Sequence, residues 1–496
     1  MQRLDLLIRG ATVYDGSGAE GVRADVGTRG DRIAHVGTRE LAASVELDAS
    51  GLAVAPGFID VHTHDDFAVL LHPDMEFKTR QGVTTNVVGN CGFGAAPHRI
   101  AALMAQAFHP GATLPDYEGY AGYLERLEAE PAASNTAALV GHGTVRGSVL
   151  GGDRRAPTAA ELDRMRGLVR EGLDAGAVGF STGLIYEPGR YAERDEIIEL
   201  AREAAGGRGL YATHMRDEGE RLLEAVEEAI AIGEAAGVPV QISHHKASGR
   251  ESWGKVRESL RLIEEARERG LDVTADQYPY TSGSTVLAAV VQAVALAQGE
   301  PGAESFDASV VQICSSPSHP ELEGARLDEV AKRMGVSARD AAERLLADDG
   351  QSVIVALHTM NEEDVRCVMR HPTTLIGSDG IPALGGKPHP RLYGTFPRVL
   401  GHYARDQGVL PLAEAIHRMT GLAAEKFQLA DRGQLREGAF ADLVVFDPAT
   451  IRDAATFEDP HQPAEGIHHV LVNGTAVVCD GQPTGERPGR PLRRAG

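Results

Sequence analysis

The stretch Gly57-Phe58-Ile59-Asp60-Val61-His62-Thr63-His64 reads as a short β-strand whose end carries two histidines spaced i, i+2. Side chains alternate faces along a strand, so His62 and His64 share one face, about 6.5–7 Å apart. Two imidazoles converging from one side of a strand end are placed to hold a divalent metal. For the pair alone, ordinary hydrogen bonding is the commoner case. The rest of the chain changes that balance.

From residue 55 onward, short apolar runs that end in polar residues alternate with Ala/Glu/Arg-rich stretches of helical period. The strand candidates are Phe58–Val61, Thr84–Val88, Ala137–Val140, Ala177–Phe180, Leu210–Thr213, Val240–Ser243, Asp272–Ala275 and Thr374–Ile376. Helical period runs through Glu161–Leu173, Arg221–Ala236, Lys255–Arg269 and Asp328–Leu346, among others. Strands interleaved with helices in this number predict an α/β protein whose parallel units close into a (β/α)8 TIM-like barrel. An open doubly wound sheet is the alternative. Polar residues gather after nearly every strand, however, as they do on a barrel's C-terminal rim.

The barrel is expected over 55–420, with 285–350 too long for an ordinary loop and read as an inserted, partly helical lid. Residues 1–54 show short strands and tight turns without helical period. A second strand-rich region covers 421–480, where Asn473-Gly474 between apolar runs signals a hairpin. The two flanks are expected to pair into one small discontinuous β-sandwich domain. The Pro/Arg/Gly-rich end, 481–496, reads as a loose tail.

Composition narrows the partners. The 496 residues are 42% apolar and 24% charged, as in a soluble globular protein. A net charge of −22, from 49 basic against 71 acidic residues, argues against nucleic acid or an anionic membrane. The longest apolar run, Val286–Ala297, is interrupted by Gln292 and falls short of the roughly 20 residues a membrane span needs. Met1-Gln2-Arg3-Leu4-Asp5 shows no signal-peptide core. Four scattered cysteines, Cys91, Cys314, Cys367 and Cys479, form no close-spaced framework, so a reduced cytoplasm is expected. Oligomeric state is not readable at this level.

The polar strand ends carry the chemistry. The second strand runs into Gly89-Asn90-Cys91-Gly92-Phe93-Gly94, where flanking glycines leave room for the sulfur. For a lone cysteine, a small buried apolar role is the usual one. The fifth strand ends at His214, the sixth at His244-His245-Lys246 and the eighth at Ser378-Asp379-Gly380. Histidines after strands 1, 5 and 6, with an aspartate after strand 8, compose a metal-hydrolase constellation on one rim. His245 faces the other way along its strand, and His142, after strand 3, has no assigned role.

These motifs, in this order, resemble the amidohydrolase superfamily and, within it, the N-acyl-D-amino-acid deacylase (D-aminoacylase) family. The resemblance continues through Asp276-Gln277-Tyr278-Pro279-Tyr280, the stretch from Pro388 to Arg398, and Ala430-Asp431-Arg432-Gly433, so it covers nearly the whole chain. It implies a tightly held zinc on Cys91, His214 and His244. It also implies a second, weaker metal position at His62, His64, the same cysteine and Asp379. Strand 4, within Gly176–Gly183, has no lysine, which fits the branch that uses the cysteine instead of a carboxylated lysine. Lys246, Arg391, Tyr186 and Ser284 match positions that hold the substrate carboxylate. Preference for the D-enantiomer rests on the resemblance alone.

Amide hydrolysis needs an activated water, a polarised carbonyl and a proton for the leaving amine. Asp379 is the candidate for both proton transfers; a structural turn or cap is its plain alternative. An N-acyl amino acid also carries an α-carboxylate, which an acidic protein must meet with local cations such as Lys246 and Arg391. The loop from Thr285 to Val294 contains no Lys or Arg, and Leu184, Ile185 and Met360 are apolar. Neutral side chains of the Leu, Met or Phe kind are therefore expected on the substrate. The alternatives are an N-acyl-D-glutamate or aspartate deacylase, with Arg190 or Arg250 as the extra cation, and a cyclic amidohydrolase. A non-catalytic scaffold comes last, since it has no use for the whole donor set.

Overall fold

The computed structural model describes residues 3–297 and 307–494. Residues 298–306 of the expected lid, and the extreme ends of both flanks, lie outside the described residues.

Eight strands form the central sheet: β1 (Phe58–Asp60), β2 (Val83–Val88), β3 (Asn135–Gly141), β4 (Gly179–Gly183), β5 (Leu210–His214), β6 (Val240–Ile242), β7 (Val273–Gln277) and β8 (Thr374–Ile376). Each pairs in parallel with the next. The ring closes just beyond the ends of β1 and β8. There Asp379 N donates to His62 O (2.7 Å) and His64 N donates to Gly380 O (3.0 Å). Every barrel-strand residue is buried, which is why the strands read as apolar runs and not as alternating patterns.

The helices follow the same logic. Ala159–Ala175 starts with a reciprocal Thr158–Glu161 capping box and stops at Gly176, whose φ of 114° an L side chain resists. It turns Met165, Val169 and Leu173 inward. Helices His98–Phe108, Gly119–Ala129 and His142–Leu150, which lie between β2 and β4 in the chain, were not anticipated.

The two chain ends share one nine-stranded sheet. Leu4–Val13 is a single strand with an irregularity between Ile8 and Ala11; the sequence reads as two strands, Leu4–Arg9 and Ala11–Tyr14. Its two halves pair in parallel with Ala43–Asp48 and Ala53–Pro56, and the latter pairs with Leu443–Phe446 from the far end of the chain. The edge strand Arg32–Gly37 bonds back to the segment before Leu443, through Ile33 N to Ala439 O (2.8 Å). The sheet thus folds over a core with Ile8, Val26, Ile33, Val54, Leu443, Val445 and Leu471. Asn473 (φ 48°) and Gly474 (φ 80°) make the tight hairpin between its last long strands.

Three expectations are corrected. The insertion is a folded unit, with a three-stranded antiparallel sheet of Gly283–Val286, Ile354–Leu357 and Val311–Ser315 and its own core of Leu287, Ile313, Leu327, Leu345 and Val355. The helix read over 328–346 is two, Leu327–Met334 and Ala338–Asp349, because Gly335 at φ 66° ends the first and Ser337 caps the second. The end of the chain is not loose either. Pro491–Leu492 pairs in parallel with β3, and the buried Asn135 amide oxygen accepts from Arg490 N (3.0 Å). Asn473 Nδ2 donates to Pro488 O (2.8 Å). Buried amides needed these partners, and hydropathy does not report them.

Candidate active site

The rim histidines sit where strand ends aim them. His62 Nδ1 meets Asp276 Oδ1 at 3.1 Å, and its Nε2 lies 3.3 Å from Cys91 Sγ. A carboxylate on one ring nitrogen leaves the other as a lone-pair donor, the arrangement found behind metal-binding imidazoles. Asp276 Oδ1 also accepts from His244 N (2.8 Å), so one β7 carboxylate positions residues from two other strands. Asp276 was quoted as part of a motif without a role.

Cys91 lies in a single tight turn, Asn90–Gly92, at φ 54°. A Cβ on the preceding Gly89 would come within 2.2 Å of Leu139 O, so the chain passes only because that residue is glycine. Cys91 Sγ is 3.5 Å from His244 Nε2. Burial alone would raise the thiol, but the neighbouring His62 and His244 imidazoles outweigh it and hold it well below its usual range. His244 (φ 37°) and Asp379 (φ 50°) share the left-handed conformation with Cys91. Such backbone in non-glycine residues is costly and clusters at functional sites.

Three sets of donor atoms, each within 4.8 Å of one another, converge here: His62–Cys91–His244, His62–His64–Asp379 and His214–Glu218–His244. The expected tight triad is therefore spread over two of these sets, joined by His244. The weaker set of His62, His64 and Asp379 stands together, with His64 Nε2 at 3.1 Å from Asp379 Oδ1. Both ring nitrogens of His214 and Nδ1 of His64 are buried without a hydrogen-bond partner. Orphaned buried imidazole nitrogens are costly. A thiolate and imidazoles with unmade bonds are the donor set of a zinc site, so these residues fit that ion.

Glu218 was not singled out. Its Oε1 lies 2.8 Å from His244 Nδ1 and 2.6 Å from Lys246 Nζ, and Oε2 is 3.7 Å from His214 Nε2. Burial would raise its carboxyl, but Lys246, His214 and His244 hold it well below the usual carboxylate range. Its one sequence signal is its place four residues after a rim histidine.

Arg391 is wholly buried, with Nη1 2.8 Å from Asp379 Oδ2 and its guanidinium 4.5 Å over the Tyr278 ring. Against the penalty of burial, Arg391 is the foremost of the cations that hold Asp379 well below the ordinary carboxylate range. Lys246 approaches the same Tyr278 ring at 5.8 Å. Ser284 meets Arg391 through its carbonyl (3.2 Å), and its hydroxyl has no partner. Tyr186 packs on His214 at 4.9 Å and its hydroxyl is 3.2 Å from Thr285 Oγ1. The four residues matched to carboxylate binding thus ring the donor cluster.

Below the rim, Lys78 Nζ donates to Asp60 (2.6 Å), Thr63 (2.8 Å) and Ser378 (2.9 Å), and Ser378 N donates to Asp60 (2.8 Å). This network, also unforeseen, ties the segments carrying His62, His64 and Asp379. His142 pairs with Glu196 (2.9 Å), whose other oxygen takes Arg146 (2.7 Å), and is a structural residue. His245 turns away to Ser259 Oγ (2.9 Å), and burial pushes it down to about 4.

The chain matches the Amidohydrolase family over residues 45–478. It is 48% identical to a D-aminoacylase of Alcaligenes xylosoxydans xylosoxydans, covering 99% of this chain and 98% of that one. It superposes with a TM-score of 0.91 and 41% identity on the N-acyl-D-glutamate deacylase of Bordetella bronchiseptica, solved with zinc and a phosphonate mimic of the tetrahedral intermediate; coverage is 99% and 100%. A D-aminoacylase structure, whose binuclear centre is described by one-metal activation and second-metal attenuation, superposes with a TM-score of 0.88 at 43% identity, over 99% of this chain and 100% of that one.

Proposed function

The chain belongs to the amidohydrolase family, and from that premise we propose that it hydrolyses the amide bond of N-acyl-D-amino acids, with zinc as its metal. The products are a carboxylate and a free D-amino acid. One observation carries the reading: a buried thiolate–imidazole cluster with unmade bonds adjoins an ionised aspartate and two cations. That combination meets the three needs of amide hydrolysis and the one need of an N-acyl amino acid, its carboxylate.

Cys91, His214 and His244 would hold the tight zinc, and His62, His64 and Asp379, with the shared cysteine, a second, weaker ion. Bound zinc supplies Lewis acidity toward the amide carbonyl and lowers the pKa of water. The chain's own groups do the rest. Asp379 accepts the proton of the attacking water and passes it to the amine nitrogen as that leaves. Arg391 keeps Asp379 ionised and, with Lys246, receives the substrate carboxylate; Tyr186 and Ser284 add hydroxyl contacts. Burial of the cluster excludes bulk water and strengthens each of these charges.

Neutral side chains are the favoured substrates. Leu184 and Met360 are buried apolar groups near the rim, whereas of the two cations an acidic side chain would need, Arg250 is exposed beside Trp253 and Arg190 is half-buried. The test is kcat/KM for N-acetyl-D-leucine and D-methionine against the D-glutamate, D-aspartate and L-leucine analogues. A preference for the neutral D-substrates is expected; a clear preference for the acidic pair would overturn the side-chain assignment. No helix among the described residues is long and apolar enough to cross a membrane. The four free cysteines support a reducing cytoplasm as the compartment, and the acidic charge supports small molecules, not nucleic acid, as partners.

A further inference from the structure

A cavity of about 350 Å³ opens beside the donor cluster, at the lower end of the range usual for ligand pockets. Its walls are mostly apolar and include Phe93, Met104, Phe108, Tyr186 and Val286. They come from the segments after β2, from the turn after β4 and from the inserted unit. The cavity's walls pack against the site's residues. Phe93 and Phe108 flank His64 at ring distances of 6.2 and 5.9 Å, and Tyr186 packs on both Phe93 (5.3 Å) and His214 (4.9 Å). Leu103, which also lines the cavity, is 65% exposed and so marks its solvent side. The helix Leu287–Ala297, which supplies Ala289 and Gln292 to the lining, has only Gln292 as a polar residue along its length.

The position of the cations decides what this cavity takes. Lys246, Tyr278 and Arg391 follow β6, β7 and β8, across the barrel mouth from the walls that follow β2 and β4. In an N-acyl amino acid the scissile carbonyl lies between the acyl chain and the carbon bearing the carboxylate. With the carboxylate on Lys246 and Arg391 and the carbonyl at the donor cluster, the acyl chain must leave toward Phe93 and Phe108. We propose that this cavity is an acyl-chain subsite and that straight-chain N-acyl-D-amino acids, longer than acetyl, are the better substrates. The assignment rests on the deacylase reading and adds to it the acyl half of the substrate.

The experiment is a series of N-acyl-D-leucines from acetyl to octanoyl, assayed on the zinc-loaded full chain and on two variants, Ala107→Trp, which fills the cavity, and Leu103→Asp, which charges its mouth. In the parent, kcat/KM should rise roughly fourfold per methylene until the cavity is full, the gain a buried CH2 confers. The ratio of octanoyl to acetyl should fall by at least about fifteenfold in both variants, as two or more methylenes lose their apolar wall at about fourfold each. Using a ratio makes the result independent of the folded fraction. A flat series in an enzyme that cleaves N-acetyl-D-leucine overturns the subsite and leaves the deacylase reading standing. Inactivity at every acyl length overturns both. If lengthening the amino-acid side chain, at constant acetyl, gives the response that Ala107→Trp abolishes, the cavity holds the side chain and the proposal is wrong.

Discussion

Two buried polar clusters in this molecule use similar residue types to opposite ends. At the junction of the nine-stranded sheet and the barrel, Arg432 bonds to Asp442 and to Asn473 Oδ1 (2.9 Å). Asp442 also takes Asn473 N (2.7 Å), and Asn473 Nδ2 reaches Asn135 Oδ1 in β3 (2.8 Å). Phe440 covers the guanidinium at 4.0 Å. None of these side chains is left with an orphaned buried polar atom. The rim cluster, in contrast, leaves His214, His64 and Ser284 with unmade bonds, and it holds Cys91, His244 and Asp379 in left-handed backbone where the junction has Asn473 in its hairpin turn. A saturated network has nothing left to offer a ligand and serves to fix two bodies together. An unsaturated one, kept in strained backbone by its surroundings, is organised for something that arrives later.

The contrast predicts different failures. The largest effect should come from His244→Asn, which removes the residue shared by two donor sets: tight zinc and turnover are both lost, checked by elemental analysis beside kcat. Asp379→Asn should retain the tight zinc yet lower kcat by roughly 10²–10⁴-fold, the usual contribution of acid–base catalysis. Near-normal turnover in that variant would remove Asp379 from the proton transfers.

At the junction, Asp442→Ala leaves Arg432 buried and unpaired, which should cost about 3–5 kcal/mol in urea unfolding. The folded fraction should keep its kcat/KM. If activity per folded molecule fell as well, the junction would be coupled to the rim and the division drawn above would fail.

The smallest effect concerns Lys426, at the opposite end of the barrel, which bonds to Asp272 Oδ1 (2.9 Å) and is pushed by burial from 10.5 down to about 8. Between these two values the unfolded chain binds the proton that the folded chain has released, so this group's contribution to stability rises with pH. Lys426→Met should therefore be stabilising relative to the parent near pH 7, and the difference in melting temperature should shrink as pH rises through 8 toward 10. A gap that widens over that window would contradict the assignment.

The barrel was legible because parallel strands buried on both faces leave continuous apolar runs, and each run ends at the rim where the polar residues appear. The convergence of the rim histidines and Cys91 was legible for a related reason: histidine and cysteine at strand ends are few and chemically distinctive. Glu218, Asp276 and Lys78 were not, because a charged residue gives no sign in sequence that it will be buried. Lys78 is made by Asp60 and Ser378, the second of these 300 residues away. Ala43–Asp48 carries a strand's apolar–polar alternation over only six residues and was missed; it is a mostly exposed outer strand held by backbone bonds to Leu4–Val13. The pinned chain end depended on partners for Asn135 and Asn473 that lie far apart in sequence.

The central claim is that the unsaturated rim is a zinc-dependent deacylase site specific for D-amino acids. Its most direct test is to strip the protein with a chelator, confirm metal loss by elemental analysis, and titrate zinc back while assaying N-acetyl-D-leucine and N-acetyl-L-leucine. The account predicts no turnover without metal, recovery complete at about one zinc per chain as expected for one three-ligand site that keeps a position open, and negligible cleavage of the L-substrate throughout. Full activity in metal-free protein, or equal cleavage of the two enantiomers, would contradict it.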